Sequence, residues 1–224
     1  MVLYIVSTPI GNLEDITLRA LNTLKKVDII ACEDTRHSQI LLKKYEIEKK
    51  LLSYHSHSGQ SKIEKIIAEL KAGKEVALIS DAGTPGISDP AYTLIKAALE
   101  EGIKIEPIPG PTAFLAALVG SGLPMNQFVY LGFLPTKKGR QTLLKSLAEE
   151  KRTVVFYESP HRIQKTLSQL EEFIGGERKI AIGRELTKLH EEFIRGTVTE
   201  IKEEFAERKP KGEFVVVLGG QNMV

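Results

Sequence analysis

The stretch Val76-Ala-Leu-Ile-Ser-Asp-Ala-Gly-Thr-Pro-Gly-Ile-Ser-Asp-Pro90 contains the unit from which the fold is built. Its apolar run, Val76–Ser80, is typical of a buried strand. Asp89-Pro90 is typical of a helix start, because aspartate caps a helix well and proline fits its first turn. Together they predict a strand, a loop and a helix in succession, which is the repeating unit of a parallel sheet covered by helices.

The loop between this strand and this helix has two interpretations. Its glycines and the carboxylate of Asp81 suit a ligand, because glycine lets the backbone approach closely and a carboxylate accepts hydrogen bonds from hydroxyls and amines. Alternatively, glycine and proline only shape the turn. We favour a ligand for Asp81 and Gly83, since Asp89 already supplies the helix cap.

The same alternation extends on both sides of this stretch. Predicted helices include Thr17–Lys26, a helix opened by a capping-box pattern at Ser61 and Glu64, and a short helix Thr112–Leu118. The predicted strands of the first half are Leu3–Ser7, Ile29–Cys32, Leu51–His55, Val76–Ser80 and Ile103–Ile108.

A segment rich in glycine and proline, Gly120–Pro124, marks the predicted boundary between two α/β lobes, residues 1–119 and 120–224. In the second lobe, only a short helix separates the strands around Ile194 and Val215, which favours some antiparallel pairing there. The predicted elements are strands Phe128–Phe133, Thr153–Tyr157, Lys179–Arg184, Glu192–Thr197 and Phe214–Leu218, with helices near Gln141–Glu149, Arg162–Phe173 and Thr199–Glu207.

Composition excludes several classes of protein. With 224 residues, 42% of them hydrophobic, and a net charge of +2, the chain can bury a core and is unlike a disordered protein. No apolar run approaches the roughly 20 residues that cross a bilayer, and the first residues lack a basic, cleavable leader. We therefore expect a cytoplasmic protein without a membrane partner.

The metal-binding and redox residues are few. The single cysteine, Cys32, excludes an internal disulfide and a cysteine cluster, and its apolar neighbours favour a strand filler over a nucleophile. His55 and His57 are spaced to share one face of a strand, but no third ligand stands at a recognisable spacing. We expect no metal.

Small, polar or charged residues follow most of the predicted strands, where ligands of open α/β sheets bind. The chain contains neither a P-loop nor the glycine pattern of a standard dinucleotide site. The strand-end loops are Thr8–Asn12, Glu33–Arg36, His55–His57, Asp81–Asp89, Gly110–Thr112, Glu158–Arg162 and Glu185–Lys188.

Six separated motifs, in order, resemble the tetrapyrrole methylases over nearly the whole chain, and in particular the branch that acts on ribosomal RNA. These motifs are Ser7-Thr-Pro-Ile-Gly-Asn-Leu13, Cys32-Glu-Asp-Thr-Arg36, Ser80-Asp-Ala-Gly-Thr-Pro-Gly-Ile-Ser-Asp-Pro90, Pro109-Gly-Pro111, Tyr157-Glu-Ser-Pro-His-Arg162 and Arg184-Glu-Leu-Thr-Lys188.

The resemblance implies a class III methyltransferase that uses S-adenosylmethionine to methylate the ribose 2′-oxygen of a cytidine in small-subunit ribosomal RNA. It also implies two α/β/α lobes with mixed, mostly parallel sheets, the methyl donor in a cleft between them, and a homodimer. Matched motif by motif, the residues implied to hold the donor are Pro9, Asp81, Ala82, Gly83, Ile87, Thr112, Ala113, Tyr157, Glu158, Leu186 and Thr187.

Three departures from the family pattern are visible. Ala91 stands where glycine is commoner, and Thr112 stands where serine is commoner. The stretch His55-Ser-His57-Ser58 replaces the more frequent His-Glu-His-Asn, which argues against an essential glutamate at that position.

A 2′-hydroxyl is a poor nucleophile at neutral pH, so some group must accept its proton or stabilise the alkoxide. Several ionisable side chains in the strand-end loops are candidates. We favour Glu33, Arg36 and Lys188 as catalytic residues, because they stand in short strand-end motifs; the alternative for each is a structural ion pair. The remaining candidates are Asp34, His55, Glu158, His161, Glu185 and His190.

Positive charge is concentrated in one segment. Between Lys137 and Lys165 the sequence has eight Lys or Arg and three Glu, so 8 − 3 = +5. We predict phosphate contacts there, with an ordinary solvated loop as the alternative. Aromatic stacking platforms are sparse, which favours an assembled ribosomal particle over free single-stranded RNA. The predicted RNA-binding residues are Arg36, Lys137, Lys138, Arg140 and Arg162.

Two rival functions remain open. A tetrapyrrole C-methyltransferase or a diphthine synthase has the same fold, but those branches open with a Gly-x-Gly-Pro-Gly-Asp loop, whereas this chain has Thr8-Pro-Ile-Gly-Asn12. The other rival is a non-catalytic ribosome assembly factor that only binds the donor. A binding module of that kind takes up the donor without turnover.

Overall fold

The structure is a computed structural model that describes residues 1–55 and 59–221. It divides into two units, Met1–Thr112 and Ala113–Val224, and each unit contains one five-stranded sheet. This division falls before the boundary predicted at 119/120, because the helix Ala113–Ser121 packs against strands of the second sheet. In the part of the chain described, no helix is long and apolar enough to cross a membrane.

The first sheet is entirely parallel, as predicted, with strand order β3-β2-β4-β1-β5. Leu3 pairs with Val76, and Ile29 pairs with the same valine from the other side. The elements of this unit are strands β1 (Val2–Val6), β2 (Ile29–Cys32), β3 (Lys50–Ser53), β4 (Val76–Leu78) and β5 (Lys104–Ile108), and helices α1 (Leu18–Lys26), α2 (Thr35–Lys44), α3 (Gln60–Lys71) and α4 (Ala91–Glu100).

Two apolar cores cover the two faces of this sheet, because successive side chains of a strand point to opposite faces. Leu3 and Ile29 pack with α3 and α4 on one face, whereas Val6 and Ile30 pack with α1 and α2 on the other. Cys32 belongs to the second core and is fully buried, which confirms its prediction as a strand filler. Burial raises the pKa of its thiol.

Helix starts in this unit were predicted with mixed success. Thr17 caps α1 by accepting a hydrogen bond from the backbone of Ala20, at 3.1 Å. The Asp89 carboxylate accepts a hydrogen bond from the backbone of Ala91, but the N-cap of α4 is Pro90 and not Asp89, so the predicted cap lies one residue too early. The capping box at Ser61 was wrong: α3 begins one residue earlier, at Gln60, and Ser61 lies inside the helix.

The second sheet is mixed, with strand order β6-β7-β10-β8-β9. Antiparallel pairing near Ile194 and Val215 is confirmed, but β8 lies between these two strands and pairs with both. The elements of this unit are helix α5 (Ala113–Ser121), strand β6 (Phe128–Phe133), helix α6 (Arg140–Ser146), strand β7 (Thr153–Glu158), helix α7 (Ile163–Ile174), strands β8 (Lys179–Arg184) and β9 (Glu192–Thr197), helix α8 (Val198–Ala206) and strand β10 (Phe214–Leu218).

Arg178 closes the end of this sheet at which β8 begins. It is buried, and its guanidinium donates to four backbone carbonyls, those of Gly219 at 2.9 Å, Leu147 at 2.7 Å, Ala148 at 3.4 Å and Glu150 at 2.6 Å. A planar group with five N–H donors can satisfy more carbonyls at once than any other side chain. Arg178 therefore holds together the chain segments that precede and follow three strands.

We predict that Arg178→Ala lowers the free energy of unfolding by roughly 3 kcal/mol, because it leaves buried carbonyls without donors. Urea denaturation followed by circular dichroism measures the change. The matched control is Arg152→Ala, since the Arg152 side chain is half-exposed and its guanidinium pairs with the side chain of Glu150. Its loss is expected to change stability by less than about 1 kcal/mol. Equal effects of the two substitutions would contradict this role for Arg178.

Candidate functional site

The loops that follow β1 and β4 are joined by backbone hydrogen bonds at the carboxyl edge of the first sheet. Thr8 donates to the carbonyl of Gly83 at 2.9 Å, and Gly83 donates back to the carbonyl of Thr8 at 3.1 Å. Gly83 has a φ of +82°, and a Cβ at this position would lie 3.3 Å from Ile10 Cγ2. Glycine is therefore needed at this position for the conformation of the loop, whether or not a ligand binds.

A chain of hydroxyl groups connects the loops after β1, β4 and β5. Thr84 Oγ1 lies 2.9 Å from Ser7 Oγ and 2.7 Å from Thr112 Oγ1, and it also bonds the carbonyl of Pro111. The sequence indicated Thr112 as a residue that binds the methyl donor, but it did not indicate Ser7 or Thr84. Their position inside two of the six motifs was the available signal.

Several carboxylates lie in the loops next to these hydroxyl groups. The Oδ1 atom of Asp81 accepts a hydrogen bond from the backbone of Asp34 at 3.1 Å, which ties the loop after β2 to the loop after β4. Glu33 is half-buried between these loops. Burial raises the pKa of its carboxyl, and the negative charges of Asp89 and Asp81 raise it further. Glu33 is thus a carboxylate whose proton affinity is increased by its surroundings.

Arg36 is bound to its own loop. Its Nε and Nη2 atoms lie 3.1 and 2.8 Å from the two carboxylate oxygens of Asp34, and this pairing holds the pKa of the Asp34 carboxyl well below its usual value. The Arg36 side chain is nevertheless 89% exposed. Its outward edge is therefore accessible from solvent.

The other residues of the first unit that are predicted to bind the methyl donor lie on the same edge of the first sheet. Pro9 is buried directly after β1, Ala82 is exposed at the turn of the long loop, and Ile87 is half-buried, with its backbone bonded to Thr84. The structure thus brings Pro9, Asp81, Ala82, Gly83, Ile87 and Thr112 to one sheet edge.

In the second unit, Lys188 is held in a turn after β8. Its Nζ atom lies 3.2 Å from Glu185 Oε1 and 3.1 Å from Glu213 Oε2. Partial burial alone would lower the pKa of this ammonium, but its bonds to Glu213 and Glu185 outweigh that effect, so the pKa is raised. Lys188 therefore remains a cation at neutral pH and cannot accept a proton.

The backbone of this turn is strained. Glu185 and Thr187 have φ values of +49° and +65°, which side chains other than glycine rarely adopt. Contacts hold the conformation: the Glu185 carboxylate accepts from the backbone of Glu213 at 2.9 Å, and Thr187 donates to Glu191 at 2.6 Å. Leu186 is buried over Gly183, whose hydrogen leaves room for it.

The side chain of Glu158, a residue predicted to contact the methyl donor, belongs to a buried ion-pair network. Its carboxylate lies 2.8 Å from Arg162 Nη2 and 2.6 Å from Thr166 Oγ1, and Arg140 Nη2 approaches it at 3.6 Å. The Glu158 side chain is inaccessible to solvent. Its two oxygens are both used within the unit.

Arg140 corrects the expectation of an exposed phosphate ligand. Its side chain is only 6% exposed and bonds to Gln169, Pro135 and Thr166, because α6 turns it toward α7 and the end of β7. Arg162 is about one-quarter exposed and donates to Leu134 as well as Glu158. Lys137 and Lys138, by contrast, are exposed on the loop before α6.

Tyr157 lies at the end of β7 within a group of aromatic rings. Its ring centre is 5.6 Å from that of Tyr130 and 5.3 Å from that of Phe133, and Tyr130 stacks on Phe114 just after Ala113. Burial and the neighbouring Tyr130 raise the pKa of the Tyr157 hydroxyl, so this phenol stays protonated.

Metal ligands are not gathered within residues 1–55 and 59–221: no three His, Cys, Asp or Glu side chains there are placed to hold an ion. His57, which the sequence analysis considered with His55, lies outside the described residues.

Comparison with known proteins gives a consistent assignment. The family model described as "Tetrapyrrole (Corrin/Porphyrin) Methylases" matches residues 2–202. The chain is 51% identical to the ribosomal RNA small subunit methyltransferase I of Thermotoga maritima, over 98% of both chains. It is also 51% identical to the protein of that name from a Synechocystis strain, over 98% of this chain and 79% of the relative.

Solved structures share the fold at low sequence identity. A cobalt precorrin-4 methyltransferase of cobalamin biosynthesis superposes with a TM-score of 0.74 at 19% identity, covering 97% of this chain and 94% of that one. A uroporphyrin-III C-methyltransferase from Thermus thermophilus gives 0.69 at 21% identity, covering 98% and 94%. The predicted fold class is confirmed.

We predict that Gly212→Ala disrupts the Lys188 turn. Gly212 has a φ of +92°, and a Cβ there would lie 2.6 Å from Glu185 Cγ. The matched control is Gly139→Ala, since Gly139 has a φ of +82° with open space around it. The control is expected to lose about 1 kcal/mol for the left-handed conformation alone, and Gly212→Ala at least about 1 kcal/mol more, as measured by urea denaturation. Equal losses of stability in the two variants would contradict the prediction, because they would show that the Glu185 side chain moves away from the new Cβ without cost.

Proposed function

This chain belongs to the tetrapyrrole (corrin/porphyrin) methylase family, and from this premise we propose that it methylates the ribose 2′-oxygen of a cytidine in small-subunit ribosomal RNA. The methyl donor is S-adenosylmethionine. The observation that carries the choice of acceptor is the 51% identity, over 98% of both chains, to a relative named for small-subunit ribosomal RNA. The solved neighbours that act on tetrapyrroles are far less similar in sequence.

The residues of the first unit suit the methyl donor. S-Adenosylmethionine supplies an electrophilic methyl group on a sulfonium and carries ribose hydroxyls and an ammonium. The backbone of Asp34 bonds to the Oδ1 atom of Asp81 and not to the Oδ2 atom. A carboxylate oxygen such as Oδ2 suits hydroxyl or ammonium donors. Ala82 is exposed, and its small side chain allows a ligand to approach closely. These contacts, with Pro9, Gly83, Ile87 and Thr112, are our proposal for donor binding.

In the second unit we propose Ala113, Tyr157, Leu186 and Thr187 as the remaining donor contacts. Tyr157 and the buried Leu186 offer apolar surface suited to adenine. We leave Glu158 out, because both of its carboxylate oxygens are already bound. Its role is to fix Arg162 and the end of β7.

The reaction transfers a methyl group in line, so its atoms balance simply. The bond from sulfur to methyl breaks, the bond from methyl to the 2′-oxygen forms, and the hydroxyl proton passes to a base. We assign that base to Glu33, because a carboxylate with a raised pKa accepts a proton more readily than an ordinary one. The electron pair of the broken bond remains on sulfur.

Lys188 has a different part in the proposal. Since its ammonium stays charged, it serves to stabilise negative charge on the acceptor oxygen or on an adjacent phosphate. Arg36, whose outward edge is exposed, is proposed as a further contact to the RNA. Neither residue is asked to carry the proton.

We propose that Lys137 and Lys138 bind phosphates of the RNA, together with Arg36 and the exposed edge of Arg162. Arg140 is omitted because it is buried and bonded. The family also suggests a homodimer, for which the exposed apolar residues Leu115 and Val119 of α5 offer a surface. A ribosomal substrate places the enzyme in the cytoplasm, and the proposed chemistry needs no metal.

The experiment that tests the function is methyl transfer from labelled donor to unmethylated small subunits and to naked small-subunit RNA, followed by mass mapping. We expect label in a single 2′-O-methylcytidine, with the subunit preferred over naked RNA. Label only in a tetrapyrrole or protein acceptor run in parallel would exclude the RNA assignment. Donor binding without turnover on any acceptor would favour an assembly factor.

We predict that Glu33→Gln lowers kcat by 10²- to 10⁴-fold, the usual range for loss of a general base. Stability gives a second readout. The pKa of Glu33 is higher in the folded state than in the unfolded state. The contribution of Glu33 to the free energy of unfolding therefore falls as pH rises through the unfolded-state pKa and then the folded-state pKa. Glu33→Gln should therefore leave stability at pH 7 unchanged or higher, as judged by thermal denaturation.

The control for this prediction is Glu64→Gln, on the exposed face of α3, which should change neither rate nor stability. For the wild type, kcat/KM should fall on the acid side with an apparent pKa above that of an ordinary glutamate, and this limb should vanish in Glu33→Gln. A variant that keeps full activity but loses stability would identify Glu33 as a structural residue instead.

A further inference from the structure

An open groove lies at the end of the second sheet opposite to the Lys188 turn. It has a volume of about 490 Å³ and is bordered by the segment Ser121–Pro124 on one side and by the start of β8 and the end of β9 on the other. Lys179 and Arg195 supply its charged groups. No residue of this groove belongs to the proposed donor or catalytic sets.

Arg195 is held rigidly at this groove. Its Nε atom donates to the carbonyl of Gly120 at 3.1 Å, and Nη2 donates to the same oxygen. Its guanidinium lies 4.7 Å from the centre of the Phe193 ring. That ring occupies the space next to Gly120, where a Cβ would overlap it. The remaining nitrogen, Nη1, takes no part in the two bonds to Gly120. Because the side chain is already fixed, a ligand that binds Nη1 costs little further side-chain entropy.

Lys179 lies diagonally across the strand pair from Arg195. Lys179 pairs with Thr197, and Ala181 pairs with Arg195, so both cations are on one face of the sheet. Neighbouring like charges on a sheet face repel each other. Glu200 is close enough to Lys179 to interact with it, but its carboxylate is bonded to the backbone of Thr197 as the helix cap of α8. Within residues 1–55 and 59–221, neither Lys179 nor Arg195 forms an ion pair with a carboxylate at 4.0 Å or less.

We propose that this groove binds a backbone phosphate of the RNA substrate, away from the reacting ribose. This inference rests on the proposed function, since it names a second contact region for the same RNA. Lys179 and Arg184 are the first and last of the six residues of β8, so they lie roughly 17 Å apart along the strand. A polyanion can span that distance to the Lys188 turn, whereas a single small anion cannot.

Because the groove lies far from the reacting ribose, it should affect RNA binding and not the methyl-transfer step. A contact made equally in the ground state and the transition state changes KM and leaves kcat unaltered. Each phosphate contact to single-stranded RNA also contributes about 0.7 to the slope of log affinity against log salt concentration. Lys179→Ala should therefore raise KM several-fold and reduce that slope by about 0.7, with kcat unchanged.

The experiment measures binding of small-subunit RNA to the full-length protein in potassium chloride from low to physiological concentrations. The variants are Lys179→Ala, Arg195→Gln and the control Lys62→Ala, an exposed lysine on α3. Within residues 1–55 and 59–221 the Lys179 side chain makes no hydrogen bond or ion pair, and its backbone bonds to β9 and Gly219 do not depend on the side chain. Its loss therefore tests the groove even where Arg195→Gln disturbs the end of α5. An unchanged slope for Lys179→Ala in an enzyme that still methylates RNA overturns the inference alone.

Chemical protection separates the sources of phosphate. We expect RNA to protect Lys179 from acetylation, and inorganic phosphate at the same total phosphate concentration to give no protection. Equal protection by inorganic phosphate would make this a small-anion site and overturn the RNA assignment. Failure of the wild type to bind or methylate RNA would overturn the proposed function, and this inference with it.

Discussion

The reciprocal backbone hydrogen bonds between Thr8 and Gly83 are the constraint on which the candidate site of the first unit depends. They fix two loops that leave neighbouring strands β1 and β4, so the side chains that follow each strand have defined positions. The hydroxyl chain from Ser7 through Thr84 to Thr112 then extends this order to the loop after β5. Asp81 extends it to the loop after β2. Rigid support of this kind is what a site needs when its chemistry depends on alignment.

Charge in the second unit is divided between structural and accessible groups. Arg140 and Arg178 are buried and spend their donors on the unit itself, Arg140 on Glu158 and its neighbours and Arg178 on backbone carbonyls. Lys137, Lys138 and Lys179 are exposed. A count of basic residues therefore overstates the positive charge available to RNA, because the arginines are preferentially the ones that hold elements together.

The central strands, such as β2, β4 and β10, were predictable because each is a short apolar run that is buried within its unit. Much of the first site was predictable for a related reason: its residues lie in motifs that directly follow those runs. The Lys188 turn shows the limit. Its second carboxylate comes from Glu213, far along the chain, so the protonation state of Lys188 depends on tertiary packing. The direction of Arg140 was hidden likewise, since sequence gives the charge of a side chain but not the side of the helix that meets a buried Glu158.

The paired carboxylates around Lys188 also affect how a nucleic acid approaches. The ammonium of Lys188 is outnumbered by the carboxylates of Glu185 and Glu213, so these three groups by themselves do not attract a polyanion at long range. Diffusional steering must come from uncompensated lysines elsewhere on the unit, while Lys188 acts only after water has been displaced and contact is made. Association rate and catalytic stabilisation are thereby carried by different cations, and salt in the surrounding solution acts mainly on the first.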